Sequence, residues 1–271
     1  LLTARNGNRN NGRIISLDKA LLSGTHEIID ELGSLYIKIY NTGGETADVG
    51  DLVQTVIIDS CVFSRMPRKD VIDNANISDG DLIIGLASFG QSTYEKQYNS
   101  GIGSNGLTSA RHDILSKIYA EKYPETYSSE TNKNFIYCGN HLLTDDCETH
   151  KNIGKLLLSP TRTYAPIILK ILENHFKNIS GIIHCTGGGQ TKVLHFTKNK
   201  KIIKNNLFEV PEVFKIIQKD TNISTKEMFE VFNMGHRMEI YCDQSIADDI
   251  ISISKEFKID AKIIGHVEKS N

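Results

Sequence analysis

Three glycine-centred loops are the residues in this sequence most able to do chemistry. They span residues 42–48, 184–189 and 232–235, and hydroxyl, acidic and arginine side chains stand beside them. A glycine turn lets backbone N–H groups approach an anion, because no Cβ stands in the way. Three such loops in one chain predict an enzyme that handles phosphorylated small molecules.

The first loop combines glycines with two carboxylates. A plain hairpin turn is the alternative, but it would favour two residues such as Asn-Gly. This loop is longer, and it places Glu45 and Asp48 in one short bend. Two hard oxygen donors near backbone N–H groups suit a Mg²⁺ ion that bridges phosphate oxygens. We therefore predict Glu45 and Asp48 as metal ligands, with Gly43, Gly44 and Thr46 on the nucleotide phosphates.

A literal G-x-G-x-x-G occurs at residues 101–106, just before a predicted helix. A dinucleotide-binding fingerprint needs its glycines directly after a strand, with an acidic residue about 20 positions further on. Here a polar stretch separates the motif from the preceding strand, and no second strand follows the helix. The pattern favours instead a loop that closes over a ligand through Ser104, Asn105 and Gly106.

Two further segments carry residues suited to a phosphate or a substrate. Thr161 and Arg162 follow Pro160 at the predicted start of a helix, where free N–H groups and the helix dipole attract anions. A simple N-cap with a solvated arginine is nearly as good an interpretation. The loop at 184–189 ends in three glycines, which cost entropy unless the backbone must approach something closely.

The composition excludes several other classes of protein. The net charge of -2 argues against a general nucleic-acid binder, and no apolar run approaches the roughly 20 residues that span a bilayer. Five irregularly spaced cysteines include no C-x-x-C pair, so neither a zinc site nor a redox motif is supported. Reduced thiols in a cytoplasmic protein explain them best.

Hydrophobic periodicity predicts strands alternating with helices. The predicted strands are 35–40, 53–63, 82–87, 181–185, 237–242 and 261–267, with a polar hairpin near 198–206. The predicted helices are 17–32, one beginning near Asn105 and continuing to 118, one beginning at Thr161 and continuing to 172, 211–219, 224–232 and 246–257. The fold class is α/β or α+β in two domains, 1–150 and 151–271. The chain opens without a methionine, which we interpret as a fragment.

The ordered set of motifs resembles aminoimidazole ribonucleotide synthetase, also called phosphoribosylformylglycinamidine cyclo-ligase. The motifs that carry the resemblance are 43–48, 80–81, 104–106, 159–164, 184–189 and 232–235, and they cover nearly the whole chain. The resemblance implies an N-terminal domain that forms a barrel in a homodimer, incomplete here, and a C-terminal mixed-sheet domain with helices.

The resemblance also implies an ATP- and Mg²⁺-dependent ligase of purine biosynthesis. ATP would phosphorylate the formamide oxygen of formylglycinamidine ribonucleotide, and an amidine nitrogen would then close the imidazole ring. By the same resemblance, the residues on the nucleotide side would be Gly43, Gly44, Glu45, Thr46, Asp48, Ser104, Asn105 and Gly106. The residues on the substrate side would be Thr161, Arg162, Thr186, Gly187, Gly188, Gly189, Asn233 and Gly235.

One departure from the family pattern concerns Gly103. The family usually carries His immediately before Ser-Asn-Gly, so any role of that His is unfilled here. Two alternative functions stay open: a related ATP-dependent synthetase or kinase acting on another small nucleophile or amide, and a non-catalytic binding subunit of the same fold. The sequence does not identify a general base.

Overall fold

The structure, a computed structural model, describes residues 2–3, 12–47, 55 and 57–270. It contains two compact units, Leu1–Met66 with Lys117–Tyr137, and Pro67–Ser116 with Cys138–Asn271. The described helices are α1 (Gly12–Ser34), α2 (Leu107–Ile114), α3 (Ile118–Lys122), α4 (Ile153–Leu157), α5 (Ala165–His175), α6 (Glu212–Thr221), α7 (Thr225–Val231) and α8 (Ala247–Glu256). The described strands are β1 (Leu2–Thr3), β2 (Thr46–Ala47), β3 (Ile57–Ile58), β4 (Leu82–Ala87), β5 (Ile179–His184), β6 (Lys200–Lys204), β7 (His236–Cys242) and β8 (Ala261–Lys269).

The first unit contains the long helix α1, the short helix α3 and three two-residue strands. Strand β1 pairs in parallel with β2 and antiparallel with β3. The predicted strand at 35–40 is wrong: Tyr36 has a φ of 67°, and this segment has no strand structure. Tyr36 is 87% exposed and Tyr40 is 81% exposed, so the apolar alternation here does not reflect burial in a sheet.

The second unit is built on a five-stranded sheet in the order β5-β7-β4-β8-β6. All four strand pairings are antiparallel, and β4 lies in the centre with Leu82 opposite Cys242 and His266. The continuous apolar run of β4 explains this place, because a central strand is buried on both faces. With helices packed on the sheet, the α+β class is confirmed.

Successive residues of β4 face two different hydrophobic clusters. Ile84 packs with α5 and α8, where Ile250 and Ile253 lie on one face of α8 and Ile246 directly precedes it. Ile83 points to the other face of the sheet, into a cluster whose other members are Ile77, Ile183, Cys185, Val193, Tyr241, Ile264 and Val267. The sheet is therefore held from both sides, and its strand ends can position loops rigidly.

The predicted domain boundary between residues 150 and 151 does not coincide with the two compact units. Strand β4 precedes that boundary, yet it pairs with β7 and β8, which follow it. The predicted long strand 53–63 shows strand structure only at Ile57–Ile58, with 51–54 and 56 outside the described residues. Among the described residues, no helix has both the length and the apolar character to cross a membrane.

Candidate functional site

The loop at 101–106 is the centre of the candidate site. Gly101, Gly103 and Gly106 all have positive φ angles, of 87°, 59° and 75°, which explains the spacing of the three glycines. Ile102 between them is fully buried and anchors the loop. The carbonyl of Gly101 accepts a 2.8 Å hydrogen bond from Asn233 Nδ2, which fixes the start of the loop.

Ser104 and Asn105 connect this loop to segments that are distant in sequence. The Ser104 N–H donates to Thr161 Oγ1 at 2.9 Å, and Asn105 Nδ2 donates to the Val231 carbonyl at 2.7 Å. The Oδ1 atom of Asn105 is the nearest group to the open side of Gly187, 3.9 Å from where a Cβ would lie. The structure therefore brings together Ser104, Asn105, Thr161 and Gly187, and their predicted roles in ligand binding stay predictions.

The glycine loop after β5 has one open position and two packed ones. A Cβ at Gly189 would lie 2.5 Å from the Phe229 carbonyl oxygen, and Gly188 has a φ of 92°. These two glycines are explained by turn geometry and by close packing on α7. Gly187 has free space around it, and Thr186 beside it accepts a 2.8 Å hydrogen bond from Lys192 Nζ.

Asn233 and Gly235 help to fix the loops of the candidate site. Asn233 is buried, and its Oδ1 accepts hydrogen bonds from Ser88 Oγ at 2.7 Å and from the Gly235 N–H at 3.1 Å. Its Nδ2 holds Gly101, as described above. Asn233 thus fixes two loops relative to each other, and its donor and acceptor atoms face protein groups. This geometry gives Asn233 a positioning role.

Arg162 does not occupy the predicted phosphate-binding position. Its Nε and Nη2 form a bidentate pair with Glu95, at 2.9 and 2.6 Å. Its remaining donors go to the carbonyls of Ala87, Phe89 and Gly90. All five guanidinium N–H groups are therefore used within the protein, and none is left for a ligand.

The helix predicted to begin at Thr161 begins instead at Ala165. The segment before it is extended or turn-like, so Thr161 and Arg162 lie outside the helix N-terminus. The Arg162–Glu95 pair explains the difference, because it ties the segment to the loop after β4. The prediction of a dipole-assisted phosphate site at Thr161 and Arg162 is wrong for this reason, although Thr161 does reach the 101–106 loop.

Arg237 on β7 is the residue that the sequence analysis missed. It is 3% exposed, and its guanidinium packs directly against Gly103. Nη2 donates to the Gly101 carbonyl at 2.8 Å, and the buried Nε has no hydrogen-bond partner among the described residues. The sequence signal that could have identified Arg237 is its position two residues after Gly235, the glycine of the 232–235 loop.

Two other basic residues lie near Arg237. The pKa of His184 is lowered to about 4 by partial desolvation of its ring and by the charges of Arg237 and Lys192. His184 is therefore neutral at pH 7. Lys192 also contacts Thr186, so Arg237 and Lys192 place two basic side chains beside the glycine loop. Such a field attracts an anionic ligand.

A buried cluster of three possible metal ligands joins β7 to the residue after β5. Ligand atoms of Cys185, His236 and Glu239 lie within 4.8 Å of one another, the one such group among the described residues. Lys204, however, donates a hydrogen bond to Glu239 Oε1 and to the Gln190 carbonyl. Its ammonium group already supplies the cation that this carboxylate requires.

The charges in this cluster also argue against a metal. Burial alone would raise the pKa of Glu239, but Lys204 and His236 outweigh burial and lower it to about 2. Burial raises the pKa of the Cys185 thiol well above its usual value, so the sulfur keeps its proton. A metal ligand would have to be a thiolate. We interpret the cluster as an internal ion pair that supports the glycine loop through Gln190.

The glycine loop of the first unit is only partly described. Gly43 has a φ of 121°, and its N–H donates to Asn41 Oδ1 at 3.0 Å. Gly44 and Glu45 are exposed, and Thr46 begins β2. Asp48 lies outside the described residues. Glu45 is thus free to meet a solvent-borne ion, and the predicted pairing of Glu45 with Asp48 on Mg²⁺ stays a prediction.

Comparison with known families matches the second unit most directly. Residues 78–271 match the family described as AIR synthase related protein, C-terminal domain. The chain belongs to this family. The resemblance predicted from the ordered motifs is therefore confirmed, and the match includes every predicted site residue from Ser104 to Gly235.

Two curated relatives of this AIR synthase related chain carry the same name. It is 30% identical over 226 residues to the phosphoribosylformylglycinamidine cyclo-ligase of Methanococcus vannielii, covering 83% of this chain and 55% of the relative. For the enzyme of the same name from Methanocaldococcus jannaschii, the identity is 28% over 252 residues, covering 91% and 63%. The chain thus spans between about half and two thirds of these relatives.

A solved structure also matches, at much lower similarity. T. maritima PurL complexed with AMPPCP gives a TM-score of 0.36 and 14% identity, covering 74% of this chain and 24% of that one. At this similarity the comparison supports no assignment of a ligand or of a residue's role. Assignments for this AIR synthase related chain therefore depend on its own geometry.

Proposed function

We propose that this chain belongs to an ATP-dependent cyclo-ligase that converts formylglycinamidine ribonucleotide to aminoimidazole ribonucleotide, ADP and phosphate. The observation that supports this best is the convergence of Ser104, Asn105, Thr161 and Gly187 around one loop, with the basic side chains of Arg237 and Lys192 nearby. Both relatives above bear the name of this activity, which is the second support.

The proposed reaction needs a site that holds oxygen-rich groups in fixed positions. ATP would supply the phosphoryl group that converts the formamide oxygen into a leaving group, and Mg²⁺ would neutralise its charge. The protein's contribution is then positioning and charge stabilisation. Ser104 and Thr161 offer hydroxyl groups, Asn105 an amide, and Gly187 an unobstructed backbone for this purpose.

The rigidity of the site comes from groups that never need to touch the ligand. Asn233 joins the 101–106 loop to the 232–235 loop, and Arg162 ties the segment containing Thr161 to the loop after β4. A shift of about 1 Å in such supports can cost a factor of about 100 in rate, since the reacting atoms must meet in a narrow geometry. These residues would act on turnover through position alone.

The finer parts of the proposal concern the metal, the assembly and the compartment. Glu45 is an exposed carboxylate able to meet a Mg²⁺ ion, and Asp48 would join it by sequence proximity. A homodimer and a cytoplasmic location follow from the resemblance described above. Gly43, Gly44 and Thr46 would complete the nucleotide side, and Gly106, Thr186, Gly188, Gly189 and Gly235 the backbone of the ligand-binding loops.

The test is ADP release on adding formylglycinamidine ribonucleotide to the natural polypeptide with Mg-ATP, keeping any residues that flank this chain. We expect release that depends on the ribonucleotide, together with formation of the imidazole product. Substitution of Asn105→Ala should lower turnover, while Asn134→Ala in an exposed turn serves as the matched control. A folded protein without ribonucleotide-dependent release would contradict the assignment.

A further inference from the structure

The guanidinium of Arg237 is buried without an anion. Arg237 is 3% exposed, and among the described residues it takes part in no ion pair. Its single hydrogen bond runs from Nη2 to the Gly101 carbonyl, and Nε has no partner. A buried charge without a counter-charge is costly, so such a group persists only where something compensates for it.

The groups around Arg237 do not supply the missing charge. Burial lowers the pKa of Arg237, Tyr164 and Cys185 act in the opposite direction, and Arg162 lowers it further. Tyr164 and Cys185 are both neutral at pH 7, because burial raises the pKa of each. A neighbouring arginine makes the need for an anion greater.

Gly103 makes room for the guanidinium at the candidate site. A Cβ at Gly103 would lie 1.8 Å from Nη1 and 2.1 Å from Nη2 of Arg237, so any side chain there would displace it. Gly103 directly precedes Ser104 and Asn105, the residues that reach Thr161 and Gly187. Arg237 therefore stands at the base of the 101–106 loop, at the position where a side chain of residue 103 would begin.

The remaining polar groups near this point are donors or neutral acceptors. His184 is exposed and lies close enough for the Arg237 charge to lower its pKa, and Lys192 acts on it in the same way. Ser104 is also exposed. Arg237 itself is 3% exposed, and His184 and Ser104 beside it reach solvent in a region that offers positive charge and hydroxyl groups.

We propose that Arg237 is a ligand-binding residue that holds a phosphate group over the 101–106 loop. A planar guanidinium with free donors matches phosphate oxygens, and the ligand would supply the counter-charge that the protein lacks. This inference rests on the proposed function and adds to it the residue that binds the anion. The phosphate belongs either to the ribonucleotide substrate or to the nucleotide, and the experiment separates these two sources.

The experiment measures binding to the wild type, Arg237→Met and the matched control Arg68→Met, whose arginine is exposed. Each is titrated by calorimetry with formylglycinamidine ribonucleotide and, separately, with Mg-ATP. We expect Arg237→Met to weaken one of these two ligands by roughly 10- to 100-fold, the usual range for a lost charge-assisted hydrogen bond. Arg68→Met should leave both affinities unchanged.

The uncharged counterparts of the ligands show whether charge is responsible. Adenosine and the dephosphorylated ribonucleoside lack the phosphate, so their affinities should be the same for Arg237→Met and the wild type. Equal loss for charged and uncharged ligands would overturn the proposal, as would unchanged binding of both phosphate ligands. The ligand whose affinity falls identifies the source of the phosphate.

Thermal unfolding distinguishes a ligand-binding arginine from a structural one. Substitution of a structural arginine would lower the melting temperature of the ligand-free protein. Removing an uncompensated buried charge should leave the melting temperature of ligand-free Arg237→Met equal to or above that of the wild type. A fall as large as that of Arg162→Met would contradict the proposal. If Arg237→Met does not fold, Gly103→Ala displaces the same guanidinium and is measured in its place.

The design separates this inference from the proposed function. If the wild type binds phosphate ligands in a manner that depends on Arg237, but no imidazole product forms, the cyclo-ligase assignment fails and the phosphate site stands. If product forms and Arg237→Met binds both ligands with wild-type affinity, the assignment stands and the phosphate site fails.

Discussion

Two arginines in the second unit are equally buried and differ in almost everything else. Arg162 and Arg237 are each 3% exposed. Arg162 directs all five donors to Glu95 and three carbonyls, whereas Arg237 makes one hydrogen bond and no ion pair among the described residues. The comparison teaches that hydrogen-bond and ion-pair partners, rather than burial or charge, distinguish a structural arginine from a ligand-binding one.

The energetic consequence of this difference has opposite signs for the two residues. A bidentate, fully satisfied guanidinium stabilises the loop after β4, because removing it leaves a carboxylate and several carbonyls unpaired. An unsatisfied guanidinium reduces the stability of the free protein, and proteins keep such groups mainly where function requires them. The predictions below test this contrast, from the largest expected effect to the smallest.

The largest effect should follow from Arg162→Met. We expect the free energy of unfolding to fall by about 3–5 kcal/mol, since the Glu95 carboxylate, whose side chain is 12% exposed, would lose its bidentate partner. Urea denaturation measures this loss. Replacing both partners, as Arg162→Met with Glu95→Met, should recover part of it. A loss smaller than that of an exposed control such as Arg68→Met would contradict the structural role of Arg162.

A second satisfied charge, Glu239, should behave like Arg162 and depend on pH. Its pKa is lowered to about 2 in the folded protein, from an ordinary value of 4.5. Its ionised form therefore stabilises the fold above about pH 4.5, and this contribution is lost as the pH falls toward 2. Glu239→Gln should lower the free energy of unfolding by about 3 kcal/mol at pH 7, because Lys204, whose side chain is 11% exposed, would lose its carboxylate partner.

The matched control for this pH dependence is Glu268→Gln, whose carboxylate is 44% exposed and pairs with Lys201. Its removal should change the free energy of unfolding far less than the removal of Glu239 does, because solvent screens an exposed ion pair. The urea midpoints of both variants and of the wild type are measured from pH 7 down to pH 3. The midpoint of Glu239→Gln should approach that of the wild type as the pH falls, and no such convergence is expected for Glu268→Gln. If Glu239→Gln lost the same free energy of unfolding at pH 3 as at pH 7, packing rather than charge would explain the effect.

Gly103→Ala tests the role of Arg237 without changing Arg237 itself. The new Cβ would displace the flexible guanidinium, and the φ of 59° would cost an alanine about 1–2 kcal/mol of stability. We expect phosphate-ligand affinity to fall as in Arg237→Met. Gly80→Ala, at a φ of 89° and with open space around its Cβ, is the control for backbone strain alone. Unchanged affinity in Gly103→Ala would argue against Arg237.

The smallest effect is a change in the titration of His184. Its pKa of about 4 reflects partial desolvation first, and then the charges of Arg237 and Lys192. Removing the Arg237 charge should raise this pKa toward the ordinary value of 6.5, which NMR of the ring protons can follow. An unchanged pKa in Arg237→Met would show that the Arg237 charge does not reach His184. Lys192→Met should give a smaller rise.

The sequence predicted the elements whose burial follows a simple pattern. Strand β4 was recognisable as a continuous apolar run, and α8 as a repeat of Ile246, Ile250 and Ile253. The segment 35–40 shows the same kind of pattern without a neighbouring strand to bury it. Alternation alone therefore identified strands correctly only where the sheet provided partners.

The candidate site was predictable in part, and the limit was the pairing of side chains. Glycine spacing and the Ser-Asn-Gly sequence located the 101–106 loop, because positive φ angles need particular residues. Nothing local indicates that Arg162 pairs with Glu95, which is 67 positions away in sequence. Without that pair in view, the arginine beside Thr161 was the natural choice, and the one beside His236 was missed.

The strand order of the sheet has a consequence for synthesis of the chain. Each of its four pairings includes β7 or β8, so no hydrogen-bonded ladder of this sheet can form before residue 236 has left the ribosome. At usual elongation rates, the apolar strand β4 therefore waits roughly 10 to 30 seconds for its first partner. During that interval its apolar side chains and unpaired backbone are exposed, which is the condition under which nascent chains aggregate.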